Sequence, residues 1–490
     1  MARQSRREFL ERSMFAAAAA ATGSQFIEPR AARAQSTSPN ERLRVAVIGV
    51  NGRGQSHLFE AGGFTNRKDC EVVAICDADE QVGQTRGVAA VEKKTGKKPA
   101  YYQDLRKLLE DKSIDIVTIA TPNHWHALAA IWAIQAGKDV YVEKPVSHNV
   151  SEGRRIVDAA RKHGRICQTG TQCRSMAGTI AAIEYVQSGK IGDVKLARGL
   201  CYKSRGSIGA RGVYDVPTSV DYDVWCGPAP MHPLTRPKFH YDWHWQWDYG
   251  NGDLGNQGIH QMDIARWGLG VDDLGRGVVS YGGRFGYEDA GETANTQVSV
   301  FDYGDKTLVF EVRGLKTSPY KGAGVGVIFH GSNGYVVLAS YDGGAAFDLA
   351  GNKVQDFKAG GDHYGNFVDA VRSRKPADLR ADILQGHLSS ALCHLGNISY
   401  RLGEPVPLAD VRSHLEATRP AAEALETFER FSGHLAENHV DLEKHPIQFG
   451  ARLALDGKAE TFTGPLSDKA NPMLSRDYRK GFVVPQAAEV

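Results

Sequence analysis

The chain has almost no net charge to work with. Its 59 Lys and Arg face 57 Asp and Glu, leaving +2 over 490 residues. The totals therefore give no electrostatic reason to expect nucleic acid or a membrane surface as partner. It also has no C-x-x-C pair. The seven cysteines (Cys70, Cys76, Cys167, Cys173, Cys201, Cys226 and Cys393) are odd in number and scattered. That argues against a disulfide framework or a zinc site, and for thiols buried as small hydrophobes. There is no internal repeat. The apolar run Met14 to Thr22 is mostly alanine, too short and too weakly hydrophobic to be a permanent membrane anchor. What is present is globular: 42% hydrophobic and 24% charged residues, at a length that predicts two or three domains.

The first 34 residues read as an address. Ser5-Arg6-Arg7-Glu8-Phe9-Leu10 is a twin-arginine pattern ahead of the alanine run, and Ala32-Arg33-Ala34 offers a small-x-small cleavage site. Residues 1–34 are predicted to be a Tat signal, with a mature chain that begins near Gln35, engages the Tat translocase and ends in the periplasm or outside. Tat cargo crosses folded, so a cofactor loaded in the cytoplasm would travel inside, and the cysteines need not pair.

After a polar linker, strands and helices alternate from 43 to about 172. Strands are predicted at 43–48, 71–76, 115–120, 139–142 and 165–169. Apolar, unalternating strands of this kind belong to a doubly wound parallel sheet, a Rossmann domain over 43–172. From 173 to 435 the pattern becomes a meander of strands punctuated by turns such as Tyr303-Gly304-Asp305, then helices near 364–373 and 381–402. This predicts an α+β domain with a large, mostly antiparallel open sheet. Residues 436–490 are polar and read as a surface extension. The fold class is α/β followed by α+β.

Polar residues collect at the strand ends, the edge where open α/β sheets bind ligands. Gly49-Val50-Asn51-Gly52-Arg53-Gly54 follows a strand and opens a helix, so its backbone can hold a pyrophosphate. Asn51 replaces the second glycine of the usual pattern, and Gly52 is expected to supply the freedom lost there. Asp77 ends the second strand, where a carboxylate bonds the adenosine ribose and repels a 2′-phosphate. That favours NAD, with NADP the alternative. Its competing role is a helix N-cap. Thr121-Pro122-Asn123-His124-Trp125-His126 follows the third strand and Glu143-Lys144-Pro145 the fourth. A lysine there stands beside a nicotinamide, where its pKa should fall and it can take a proton.

A glycine-rich stretch, Gly250 to Gly258, leads into a helical pattern that puts His260 and Asp263 on one face. Between Phe239 and Tyr249 aromatic and polar residues alternate strictly. If extended, Trp243 and its neighbours form an aromatic face suited to sugar rings or to the protein's own core. A metal between His240 and His244 is not expected, because nothing else clusters with them.

This order of motifs resembles the Gfo/Idh/MocA oxidoreductases over roughly 43–405. The resemblance implies that Glu143 contacts the nicotinamide ribose and that Lys144 bonds the hydroxyl that becomes a carbonyl. It implies that Thr121, Pro122, Asn123, His124 and His126 lie along the nicotinamide-side ribose and pyrophosphate, that Gln172 is near the nicotinamide, and that Arg174 is near substrate. It implies that His260 joins the lysine at the reacting hydroxyl. The aspartate usual four residues before it is Asn256 here, which can bind a hydroxyl but supplies no charge. The second domain's sheet is expected to build a dimer or tetramer. The expected activity is hydride transfer between NAD and a carbohydrate or polyol. The alternatives are an NAD-dependent glycoside hydrolase that oxidises its sugar transiently, and a sugar-binding protein without turnover.

Overall fold

The computed structural model describes residues 41–416, 418 and 421–490; the predicted signal lies outside them. The first sheet is six-stranded and parallel: β1 (Leu43–Ile48), β2 (Cys70–Cys76), β3 (Ala100–Tyr102), β4 (Ile116–Ile119), β5 (Asp139–Val142) and β6 (Cys167–Thr169). The order β3-β2-β1-β4-β5-β6 reverses between β1 and β4, which opens a crevice at their carboxyl ends. Both faces are covered, so the strands are mostly apolar without alternation; β4 is buried at every residue. One face packs on the helices Asn123–Gln135 and Val150–Lys162. The helix Asn123–Gln135 is buried nearly all round, as its sequence predicts.

The second sheet has twelve strands. Its long run is built from β7 (Val194–Tyr202), β8 (Gly277–Gly283), β9 (Thr296–Asp302), β10 (Thr307–Arg313), β11 (Val325–Gly331), β12 (Gly334–Ser340), β13 (Gly343–Asp348) and β14 (Lys353–Lys358), in the order β14-β13-β12-β11-β7-β10-β9-β8. Every pairing is antiparallel except β7 with β10. Alternation sorts the side chains of β7. Ala197 and Cys201 join the inner core with the helices Gly258–Leu269 and Ile383–Arg401, while Leu196, Arg198 and Leu200 face the other way.

Three features depart from the sequence reading. The helix His363–Ser373 comes late in the chain yet packs its Tyr364, Phe367, Val368 and Val371 on the first sheet. The helices Leu408–Glu416 and Ala421–Glu437 cover the outer face of the second sheet over β8 and β9, through Val411, Leu415, Phe431 and Leu435. Beneath that cover Glu311 is bonded by Arg198 and Arg430. Burial alone would raise its pKa, but the Arg430 hydrogen bonds and the surrounding guanidinium charges hold it down at about 2. Finally, residues 436–490 are no surface extension. Ile447–Phe449 and Leu453–Asp456 pair with β8, and Phe482, Val484 and Val490 are buried in the core of the first domain. These apolar residues are too widely spaced to show a period, so the sequence reads as polar.

Candidate active site

The crevice at the strand ends is a cleft with an empty volume of about 1390 Å³, solvent at its mouth included. Gly49, Asn51, Gly52, Arg53, Asp77, Thr121, Pro122, Asn123, His126, Glu143, Lys144, Trp243 and Asn256 all line it, so most of the expected residues meet. The glycine turn is shaped for a ligand. Gly49 has φ +83°, and a Cβ there would lie 2.7 Å from the Ala120 carbonyl oxygen. A Cβ on Gly54 would lie 1.9 Å from the Gly49 oxygen, so this glycine serves close packing. Gly52 differs: its φ is not positive and its Cβ would meet nothing within 4 Å. It therefore keeps space clear in the cleft, and the conformational role expected of it falls to Gly49. The N–H groups of Asn51, Gly52 and Arg53 donate to no acceptor among the described residues, and the Thr121 hydroxyl is buried without a partner. Such donors suit a pyrophosphate.

Asp77 stands at one end of the cleft. Its Oδ2 accepts from Val50 N at 2.8 Å and its Oδ1 from Asp79 N at 3.0 Å. Each oxygen keeps acceptor capacity for a ribose hydroxyl. Burial pushes the carboxyl up to about 6, against the pull of those two N–H groups. The N-cap of the next helix is Asp79, whose side chain accepts from Val82 N, which frees Asp77 of that competing role. The second domain roofs this end: His240 bonds Asp79 at 2.9 Å, and Asp221 N donates to the Ala78 carbonyl.

Glu143 organises the other end. It is buried, and its Oε1 meets His57 Nε2 and Arg53 Nε at 3.1 Å each, with Gln172 Nε2 at 3.4 Å. A Cβ on Gly170 would sit 2.8 Å from this carboxylate, so glycine there makes its room. Desolvation favours the neutral acid, but the His57 hydrogen bond and the Arg53 charge outweigh it and keep Glu143 ionised. His57 was not foreseen; the one clue is its position four residues after Arg53, on the same helix face. Lys144 follows. Its Nζ donates to the Asn256 carbonyl oxygen at 2.7 Å. Burial lowers its pKa, with Arg53 and Lys203 adding to the effect and Glu143 opposing it. His260 lies one turn beyond Asn256. Its Nδ1 is buried without a partner, and burial together with the Lys144 charge holds the ring neutral. Tyr341, on the β12–β13 turn, packs against it at 5.1 Å between ring centroids. No sequence signal marks Tyr341.

Other expectations are corrected. His124 does not line the cleft; it is buried between Trp225 and Tyr249, bonded to the Trp225 carbonyl at 2.9 Å, with its pKa pushed to about 3 by burial. Arg174 and Asp263 spend their polar atoms on each other, in a buried bidentate pair with N–O distances from 2.8 to 3.0 Å. Ser389 adds a further bond to Asp263. They join the elements beneath the cleft and do not face it. The segment from Phe239 to Tyr249 is not extended. Tyr241 takes φ +69° and Asp242–Trp245 forms a 3-10 turn, which sends Trp245 into the core while Tyr241 and Trp243 line the cleft. Trp243 stacks on His244 at 3.6 Å. No group of three or more metal-ligating side chains occurs among the described residues.

A parallel dinucleotide-binding domain with a lysine at a strand end in its cleft, followed by a large mostly antiparallel sheet, is the architecture of a class of oxidoreductases. The family model described as an oxidoreductase family with an NAD-binding Rossmann fold matches residues 43–171, and that of the same family's C-terminal alpha/beta domain matches 203–434. The chain belongs to the Gfo/Idh/MocA family, and its cofactor is NAD. Among curated relatives, Glycosyl hydrolase family 109 protein 1 of Shewanella sp. strain ANA-3 is 35% identical over 158 residues, 31% of this chain and 34% of that protein. The alpha-N-acetylgalactosaminidase of Shewanella oneidensis matches to the same extent. The match thus spans about a third of each relative. Among solved structures, the WlbA dehydrogenase of Bordetella pertussis with NADH and UDP-GlcNAcA has a TM-score of 0.53 at 20% identity, covering 72% of this chain and 94% of that one. Levoglucosan dehydrogenase with NADH and levoglucosan has 0.53 at 19%, covering 72% and 95%. These structures share the fold.

Proposed function

We propose that this protein oxidises a carbohydrate or polyol hydroxyl with NAD, or reduces the corresponding ketone with NADH. One observation carries the reading: Lys144 sits at the strand end of the cleft with a depressed pKa and its Nζ aimed by the Asn256 carbonyl. When bound, NAD supplies the hydride acceptor. Asp77, the 51–53 backbone and Glu143 would hold it. Neutral Lys144 takes the hydroxyl proton as the carbinol becomes a ketone, and the ammonium form returns it in the reverse direction. The main-chain carbonyl of Asn256 accepts one Nζ hydrogen and orients the amine. Neutral His260 offers a ring N–H to the same oxygen. Asn256 and Trp243 bind the rest of the substrate, which brings Trp243 forward as the aromatic wall.

A second reading is favoured by the names of the curated relatives: a glycosidase that oxidises its sugar and returns the hydride in one turnover. The two part on stoichiometry. Glycone release from a glycoside without matching NADH would exclude the oxidoreductase reading; NADH equal to product supports it. Asp77 sets the cofactor preference in this proposal. NAD should bind more tightly than NADP, and Asp77→Ala should narrow the gap; equal affinities in the wild type would remove that role.

Tat export and a periplasmic or external destination belong to the same proposal. The seven cysteines are all free and buried, which suits a chain folded before export. Arg6 and Arg7 together replaced by lysine should leave the protein in the cytoplasm. Self-association is proposed for the outer face around β11 to β13, where Tyr335 and Phe347 stay partly exposed beside the covering helices.

A further inference from the structure

A second cavity lies behind the aromatic segment, with an empty volume of about 850 Å³, open solvent included. Four distant stretches build its walls: His148, just after the Glu-Lys-Pro turn; Trp247 and Asp248; His394 and Arg401 of the helix Ile383–Arg401; and Arg476. The last of these lies beyond both family matches.

Several hydrogen-bonding groups of the walls are buried without a partner. Arg476 Nη1 donates to His148 Nδ1 and to the Asp248 carbonyl oxygen, each at 3.0 Å. Burial and the Arg476 charge keep His148 neutral. A neutral imidazole that accepts at Nδ1 carries its hydrogen on Nε2. That Nε2–H is buried with no acceptor, and so is Nη2 of Arg476. His394 is 3% exposed; its Nε2 meets Ser147 Oγ at 3.3 Å while its Nδ1 has no partner. The Arg401 guanidinium lies 4.9 Å from the Trp247 ring centroid and makes no ion pair among the described residues. Asp248, half-exposed, is the acid of the cavity wall. Native structures seldom leave buried donors unanswered. Two guanidiniums and an imidazole N–H beside an indole ring match a planar carboxylate attached to a sugar ring.

We propose that this cavity is a binding site for a carboxylate-bearing sugar, a uronic acid unit, distinct from the dinucleotide cleft. It is independent of which hydroxyl reacts at Lys144. The test is calorimetric titration of the mature protein, already saturated with NADH, with glucuronate, glucose and inorganic phosphate. Glucuronate should bind to one site per chain, glucose and phosphate at least about tenfold more weakly, a difference of about 1.4 kcal/mol. Arg401→Gln and Arg476→Gln should each weaken glucuronate by a similar factor and leave NADH affinity unchanged. Should Arg476→Gln fail to fold, Arg401→Gln carries the test, since its guanidinium makes no hydrogen bond among the described residues. No glucuronate binding by the wild type would overturn the proposal. Unchanged binding in Arg401→Gln, or phosphate binding as tightly as glucuronate, would overturn it equally.

Discussion

Replacing Lys144 by methionine keeps the length of the side chain and removes the amine. The buried surroundings that depress the lysine's pKa accept an apolar side chain readily, so the fold and the Glu143 cluster should survive. What disappears is the group that takes the substrate proton. General acid–base assistance is worth about 10²–10⁴-fold, so the barrier should rise by about 2.7–5.4 kcal/mol at 1.36 kcal/mol per decade. The pH profile supplies a second reading of the same residue. A base must be deprotonated to act, so kcat/KM should climb with pH through the depressed Lys144 pKa, below the ordinary lysine value, and the climb should vanish in Lys144→Met. Asn256→Asp puts a carboxylate on the residue whose main-chain carbonyl holds Nζ and should move the rise to higher pH, because an anion in the same cleft favours the ammonium form. The assay follows nicotinamide absorbance and product release together over sugars, polyols and glycosides, with NAD binding measured separately. Unchanged turnover in Lys144→Met on the substrate the wild type turns over would refute the assignment, and so would loss of NAD binding alone.

Three further outcomes follow from the geometry. Gly52→Val adds a side chain where nothing lies within 4 Å of the Cβ and φ is ordinary, so the Tm should hold while NAD affinity falls at least about tenfold; normal NAD binding by calorimetry would place the pyrophosphate elsewhere. Arg174→Ala strands the buried Asp263 carboxylate, which should cost about 3–5 kcal/mol by denaturant unfolding; a loss under about 1 kcal/mol would mean that the pair contributes little beyond an ordinary contact. The protein should also lose stability on mild acidification. Burial holds His124, His244 and His394 at about 3 in the folded state, below the unfolded value of about 6.5. The unfolded chain then binds more protons below that pH, so stability is full above 6.5 and falls as pH drops towards 3, by about 1.4 kcal/mol per histidine at pH 5.5. A Tm constant from pH 7 to 5 would contradict the burial of these rings.

Much of the lining of the cleft was legible because its signals are local. A glycine turn between strand and helix, a carboxylate ending β2 and a lysine ending β5 each need only a few neighbouring residues and the period of the strand that carries them. Parallel strand order then brings separate strand ends to one edge, so Gly49, Asp77, Thr121, Glu143 and Lys144 converge without further information. The cysteines, too, behave as their scatter implied.

Tertiary structure decided what depends on distant partners. Arg174 and Asp263 look like site residues by position, yet stand 89 residues apart and neutralise each other in the core, because a buried charge must find its counter-charge. His124 was drawn to carbonyls more than a hundred residues away. The alternation of Phe239 to Tyr249 has the period of a strand, but no strand among the described residues pairs with its backbone, so it coils around Tyr241 and divides its aromatics between core and cleft. The covering helices and the C-terminal tail found their places by burying apolar surface, a force without direction along the chain. Period and motif record what a residue's neighbours in sequence demand; which surface a helix covers, and which charge meets which, is settled only when the whole chain is packed.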